Sequence, residues 1–270
     1  MKIVVIGGSG RIGEKLVYNL RQDDYRVLEA SPTYGVDVVT GRGLAWALEG
    51  AEVVVDCSNA PELQGDAPLR FFEAAGLRLT AAELAAGVKH HIVLSIVGTD
   101  RLLASGYFRA KMLQEDLIKA SGLPYSILRS TQFFEFIAGV VQDGSRSDVV
   151  ISPAQVQPIS GLDLAEALAD LATSEPLNAT VEVAGPERFR LPELALEVLT
   201  AYEDPRRVIA DPHAPYFGAG LSDTSLLPGA EARIGSLRFE DWLRDSLQPH
   251  AGLSRHPLVD RQREAWAPLR

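Results

Sequence analysis

Tyr107 and Lys111 stand four residues apart, the spacing that puts two side chains on one face of a helix. A phenol beside an ammonium is the raw material of a proton donor. Free tyrosine ionises near pH ~10, and a neighbouring positive charge favours the phenolate and brings proton exchange toward neutrality. Tyr107 would then protonate a carbonyl oxygen while a reduced nicotinamide supplies hydride. Lys111 would hold ribose hydroxyls as well, and Ser95, twelve residues before the tyrosine, would donate a hydrogen bond to the substrate oxygen. Tyr–Lys pairs at this spacing are common on helices, and a lone tyrosine often only packs. What gives these three weight is that they lie downstream of a glycine loop.

That loop is Gly7-Gly8-Ser9-Gly10-Arg11-Ile12-Gly13, set between an apolar β-branched run and a helical pattern. Gly7 permits a tight turn, Gly10 lets backbone approach a phosphate, and Gly13 lets the helix pack close to the sheet. The helix start offers N–H groups and partial positive charge to a pyrophosphate. The expected dinucleotide contacts are Gly7, Ser9, Gly10, Arg11, Ile12 and Gly13. An acid at the end of the second strand would select NAD through its ribose. Ser31 falls at that position, and Arg11 can pair with a phosphate. Both tip the reading toward NADP. Glu29, two residues earlier, keeps NAD open. Asp56-Cys57-Ser58-Asn59-Ala60 follows the third strand and is expected near the adenine, with Ser58 and Asn59 as contacts and Cys57 as a small buried filler.

The elements that must position these groups alternate. Strands are expected at 3–6, 26–30, 52–56, 91–95, 125–129, 149–151 and 181–184. Ile12, Leu16 and Leu20 mark one helix face. Thr40 is expected to cap a short helix with Leu44 and Leu48, closed by Gly50. A helix over 68–86 is expected to break at Gly76. Further helices are expected at 107–120 and 133–141. Asp163 and Glu166 read as a capping box for a helix with Leu164, Leu168 and Leu171. The pattern predicts an α/β fold, a doubly wound parallel Rossmann sheet over residues 1–187 with its ligand beyond the carboxyl ends of the strands. Residues 188–270, richer in proline and glycine, read as a small C-terminal substrate-binding cap and tail, with helices near 192–202 and 239–247. The stretch from about Ser254 is either loosely ordered or docks on a partner, which would make a homodimer.

Composition narrows the partners. With a net charge of −10 and no basic run, the chain is not built for nucleic acid. A single cysteine forms no intrachain disulfide. Adjacent His90 and His91 on a strand face opposite ways, so no metal is expected. The N-terminal apolar run is too short for a signal peptide and nothing is long enough to span a bilayer. A cytoplasmic enzyme acting on a small molecule is expected, without a membrane partner.

GGSGRIG (7–13), VVVDCSNA (53–60), HIVLSIVG (91–98), GYFRAKMLQEDLI (106–118) and LPYSILRSTQFFEF (123–136) resemble the atypical short-chain dehydrogenase/reductase family in its NmrA-like branch. A weaker likeness runs through PISGLDLAEAL (158–168) and VEVAGPE (181–187). The resemblance implies NAD(P) binding on a Rossmann fold, with Tyr107 and Lys111 as the Tyr-xxx-Lys pair and Ser95 at the family's serine position. Ser130, Thr131 and Gln132 match the loop bordering the nicotinamide. The asparagine that completes the tetrad in many members has no evident counterpart. Some members of the branch bind NADP to sense redox state without turnover, so a reductase and a non-catalytic sensor both stand, with a sugar-nucleotide epimerase third. Phe133, Phe134 and Phe136 read as packing before they read as a quinone pocket, and for Glu135 a functional role and a solvated helix face stand equally. Tyr216-Phe217 and Arg206-Arg207 are lesser candidates for substrate contact.

Overall fold

The computed structural model describes residues 1–142 and 148–247. In chain order the elements are β1 (Lys2–Ile6), α1 (Arg11–Gln22), β2 (Arg26–Ala30), a 3-10 turn (Pro32–Tyr34), α2 (Leu44–Leu48), β3 (Val53–Asp56), α3 (Ala67–Ala86), β4 (His90–Ile96), α4 (Gly106–Ala120), β5 (Tyr125–Ser130), α5 (Phe134–Gln142), β6 (Val149–Ile151), β7 (Gln155–Val156), α6 (Gly161–Ala172), β8 (Ala179–Ala184), β9 (Phe189–Arg190), α7 (Leu191–Ala201), β10 (Val208–Ala210), β11 (Arg233–Ile234) and α8 (Phe239–Leu247). The stretch from Ser254 lies outside the described residues.

Seven strands form one parallel sheet in the order β11-β8-β5-β4-β3-β1-β2. The strand order reverses at β1 and β3, and the crevice beyond such a switch point is where doubly wound sheets hold ligands. One face is covered by α1 and α6, through Ile3, Val5, Leu16, Leu20, Leu164 and Leu168. Leu16 and Leu20 are fully buried, each contributing roughly 1.5–3 kcal/mol. On the other face α2 and α3 cover Val4, Ile6 and Val54.

A separate apolar core joins Tyr107 and Phe108 of α4 to α5, α7 and α8, through Phe134, Leu194, Val198 and Phe239. The C-terminal residues are tied to the sheet as well as to this core, because β11 pairs with β8 at its edge. Among the described residues, no helix is long and apolar enough to cross a membrane.

Four local expectations are corrected. The helix after Thr40 starts at Leu44, behind Gly43 in the left-handed region, because the Asp37 carboxylate takes the N–H groups of Val39 and Thr40 at 2.8 and 3.2 Å and holds a turn there. α3 runs unbroken through Gly76. Leu117 of α4 packs where a side chain would stand, so this glycine serves helix packing. α6 is capped by Ser160, whose hydroxyl accepts from Asp163 N–H at 3.0 Å. The Asp163 carboxylate instead accepts from Ser236 N–H and Oγ and from Leu237 N–H, binding the C-terminal segment to the sheet layer. Finally, β6 is a strand but lies off the main sheet, paired with β10.

Candidate functional site

The loop after β1 is shaped by close contacts. Gly7 has φ +72°, and its N–H donates to Ala30 O at 2.8 Å. A Cβ on Gly13 would stand 2.2 Å from Gly7 O, so α1 can lie this close only without one. Gly8, to which the spacing argument gives no role, is equally constrained: a Cβ there would meet Glu29 Cγ at 2.6 Å and Val5 O at 3.0 Å. Gly10 and Arg11 are exposed and Ser9 is half-buried, so the start of α1 faces outward with first-turn N–H groups that no helix carbonyl can reach.

Two further groups surround that helix start. Lys15 Nζ donates to Arg11 O at 3.2 Å and lies 3.8 Å from Glu135 Oε1, with both side chains nearly buried. Glu135 acts electrostatically on Arg11 too. It is therefore an internal carboxyl group against the glycine loop, where the sequence leaves a solvated face and a functional role equally open. Its Oε2 is buried without a hydrogen bond.

Ser31 ends β2, 3% exposed, with no partner for Oγ. The Glu29 side chain leans over Gly8, so an acid and a serine both border the ribose end of the loop. Buried polar atoms nearly always find partners, and those that do not point to a ligand or ion. Among the described residues such orphans occur at Glu135, at His90 and His91 away from this site, and at Ser31, Ser58, Thr131 and the Gln132 carboxamide, which lies against the Tyr216 phenol without a well-formed bond. The last four are residues the sequence assigns to the cofactor. The donor set therefore fits a dinucleotide: glycine-loop N–H groups for the pyrophosphate, and Ser31, Ser58, Thr131 and Gln132 along its length. Ser130 is the exception, with Oγ already donating to Thr131 O at 2.8 Å.

The segment after β3 does more than approach the adenine. Its Cys57–Ser58 backbone packs on Gly7, and Asn59 Oδ1 accepts from Tyr107 OH at 3.1 Å and from Ala60 N–H at 3.0 Å. Asn59, expected from the sequence only as a cofactor contact, is thus also the hydrogen-bond partner of the phenol. No spacing could reveal a partner 48 residues away. The Cys57 thiol is pushed up by burial.

The three catalytic candidates do not converge as expected. Tyr107 is 7% exposed, and burial pushes its phenol up to about 12 against the lowering effect of the Asn59 bond. Lys111 shares its helix face but points into the protein. Nζ donates to Leu94 O at 2.8 Å and to Gln114 Oε1, and sits 4.7 Å from the centre of the Phe72 ring. Gln114 in turn donates to Asp56 Oδ2 at 2.9 Å. Burial lowers Lys111 to about 8, with Asp56, Glu115 and Cys57 pulling the other way. The expected lowering of the phenol by the ammonium is therefore corrected. Ser95 is corrected too: its hydroxyl donates to Glu115 Oε1 at 2.6 Å, inside a cluster in which Arg129 grips both Glu115 oxygens at 2.9 and 2.8 Å. Away from this site, His90 Nε2 meets Ser126 Oγ at 2.8 Å and His91 Nδ1 meets Glu83 at 2.8 Å, both buried.

Beside Tyr107 opens a cleft of about 640 Å³, walled by Leu63, Gln64, Asp66, Arg109 and Phe217. A dinucleotide lying from Ser31 over the glycine loop toward Asn59 would end next to this cleft. Together the switch-point crevice, the glycine loop and the orphaned polar atoms define a Rossmann-type dinucleotide-binding protein.

The chain belongs to the NAD(P)H-binding family, whose pattern it matches over residues 7–175. It is 25% identical over 153 residues to the photosystem II assembly factor Ycf39 of Cyanophora paradoxa, covering 52% of this chain and 48% of that one. It is 32% identical over 125 residues to the chloroplastic divinyl chlorophyllide a 8-vinyl-reductase of Cucumis sativus, covering 42% and 29%. The matches thus span about half the length of the first relative and under a third of the second. Among solved structures it shares its fold with a short-chain dehydrogenase/reductase superfamily protein from Agrobacterium tumefaciens with bound NAD, at TM-score 0.70, 15% identity and 98% coverage of each chain.

Proposed function

We propose that this chain is an NAD(P)H-dependent reductase of the NmrA-like branch of the atypical short-chain dehydrogenases, NADPH-preferring, acting on a small carbonyl or quinone-like molecule. The observation that carries the reading is the Tyr107 phenol, held by Asn59 at the wall of a cleft that adjoins the glycine-loop crevice. A nicotinamide dinucleotide held along the glycine loop, Ser31, Ser58, Thr131 and Gln132 would supply the hydride equivalent. Tyr107 supplies the proton: its Oη–H bond breaks as the substrate oxygen takes the proton, and solvent restores it. A phenol raised to about 12 is still a stronger acid than water at ~15.7, so protonating the alkoxide formed from a carbonyl is downhill, whereas a quinol oxygen, near ~10 like an ordinary phenol, would take its proton from solvent. The reverse reaction needs the Tyr107 phenolate, so its rate should climb as pH rises toward about 12. Lys111, bonded to Leu94 O and Gln114, acts here by fixing the β4 backbone under α4. Residues 188–270 are read as the substrate-side cap.

The test is oxidation of NADPH and NADH, followed at the nicotinamide absorbance, against a panel of quinones and aromatic carbonyls, with Tyr107→Phe alongside. Turnover should fall about 10²–10⁴-fold in the variant. Unchanged turnover would remove Tyr107 from the mechanism.

A second reading, a non-catalytic NADP-binding regulator, is favoured by the inward turn of Lys111 away from the phenol. It requires that oxidised and reduced cofactor change affinity for a protein partner with no cofactor consumed. The epimerase reading would need retained NAD and no net cofactor change.

A further inference from the structure

Phe217 holds an unusual backbone. Its φ is +49° and that of Gly218 is +82°, in a two-residue hairpin turn closed by Tyr216 N–H to Ala219 O at 2.8 Å and Ala219 N–H to Tyr216 O at 3.0 Å. Such turns take Asn, Asp or Gly at the first central position because a Cβ is crowded there. A phenylalanine in this region is strained, and strain of this kind persists where the surroundings fix it.

The surroundings are aromatic. The Phe217 ring lies 5.1 Å from the Tyr107 ring at 30°, and 5.9 Å from Phe136 at 17°. Tyr216 stands edge-on at 4.9 Å, and Phe108 at 6.1 Å. Phe217 also lines the cleft, so one strained residue sets an aromatic wall beside the proposed proton donor. The charges around that wall are mixed. Asp66 lines the cleft, and so does Arg109, whose guanidinium donates to the backbone of Leu103 and Ala104. No single sign dominates to select a strongly charged ligand.

We propose that Phe217 is the specificity-determining residue of the cleft, and that the ligand taken there is an uncharged planar conjugated ring laid against it, with its oxygen toward the Tyr107 hydroxyl. This rests on the reading of the cleft as a substrate site, and it narrows the substrate class to planar ring carbonyls over flexible aliphatic ones.

The test uses the full chain loaded with NADP+, so that binding is read without turnover. Isothermal titration with 1,4-naphthoquinone and with cyclohexanone is run on wild type, Phe217→Asn and Phe217→Tyr. Asparagine suits the turn but removes the ring, and tyrosine keeps it. The naphthoquinone should bind saturably to wild type and to Phe217→Tyr, and weaken about tenfold or more in Phe217→Asn. Cyclohexanone and NADP+ affinities should be unchanged, and the melting temperature should not fall. Equal naphthoquinone binding by wild type and Phe217→Asn would overturn the proposal, as would no binding to wild type. So would a weakening matched by a large loss of thermal stability, which would make the ring a packing element. Phe217-dependent binding without NADPH turnover would sustain this proposal and sink the reductase reading. Turnover of saturated ketones without naphthoquinone binding would do the reverse.

Discussion

Replacing Ser95 by alanine separates two roles for one hydroxyl. In the structure it is a buried donor to Glu115, at 2.6 Å, and Glu115 also receives two bonds from Arg129 and one from Lys119 at 3.4 Å. A buried hydrogen bond to a charged group contributes roughly 1.5–3 kcal/mol. Because the carboxylate stays paired after the change, the low end applies, about 2 kcal/mol. In a chain of this size each kcal/mol shifts Tm by roughly 2–4 °C, so Ser95→Ala should melt about 4–8 °C lower at pH 7. The effect has a pH signature. Burial pushes the Glu115 carboxyl up, but the bonds from Arg129 and Ser95, with the charges of Arg129 and Lys119, outweigh this and hold it below its ordinary value. A carboxyl depressed in the folded state stabilises above its ordinary pKa of about 4.3, and that stabilisation is lost as pH falls through the folded value. The wild-type advantage over Ser95→Ala should therefore shrink in acid. Thermal unfolding at pH 7 and at the acid limit measures both, and an NADPH titration at 20 °C should show affinity unchanged. An unchanged Tm with a fall in turnover of about 30-fold or more would refute this reasoning and return Ser95 to the substrate.

Other perturbations follow from the same geometry. Gly13→Ala puts a methyl 2.2 Å from Gly7 O, so α1 must move. NADPH affinity by fluorescence titration should fall at least about tenfold, with a stability loss of roughly 1–3 kcal/mol. Glu135→Gln removes an anion from beside Lys15 and Arg11. NADPH should bind about three- to tenfold tighter at low salt, with the gain fading as salt rises, and with some thermal stability lost because Lys15 loses its carboxylate. Lys111→Met tests the buried ammonium. Folding lowers Lys111 from 10.5 to about 8, so the unfolded chain binds the extra proton between those values and wild-type stability rises with pH across them. Urea unfolding at pH 7 and 10 should show wild type gaining about 2.5 kcal/mol relative to Lys111→Met. A pH-independent difference would mean that Lys111 is not desolvated.

The central strands were legible because a parallel sheet buried on both faces writes itself as short β-branched runs, as at Val53–Asp56 in β3, and the half-buried edge strand β2 also falls at 26–30. The glycine loop was legible for a related reason: backbone crowding leaves few residue types at Gly7 and Gly13. Caps were not. Thr40 and Asp163 both carry capping side chains, but each lost its helix start to a better-placed competitor, Gly43 in one case and Ser160 in the other. Which of two nearby cap residues wins depends on what else needs their oxygens. For Asp163 that was the backbone at Ser236 and Leu237, contacts no local pattern encodes. The bond of Asn59 to Tyr107 and the pairing of Glu135 with Lys15 were not legible either, since these partners lie on distant segments.

The divergence of Tyr107 and Ser95 has a geometric cause in α4. Tyr107, Lys111 and Glu115 lie at i, i+4 and i+8, on one face of the helix, and all are buried. The helix rises 1.5 Å per residue, so Tyr107 and Glu115 are separated by about 12 Å along it. Gly98 to Ser105 lifts the chain between β4 and α4, leaving the first turn of α4 at the cleft and its third turn against Ser95. A single stripe thus meets the ligand crevice at one end and the interior at the other, with Lys111 between them bonded to β4 at Leu94. Spacing along a chain can show that side chains share a face, but not how far along the neighbouring strand that face has travelled. Ser95 and Tyr107 match a catalytic order in sequence while serving opposite ends of one helix. The partner that the phenol does have, Asn59, comes from the segment after β3, the strand paired with β1 beside the glycine loop, where the cofactor is expected.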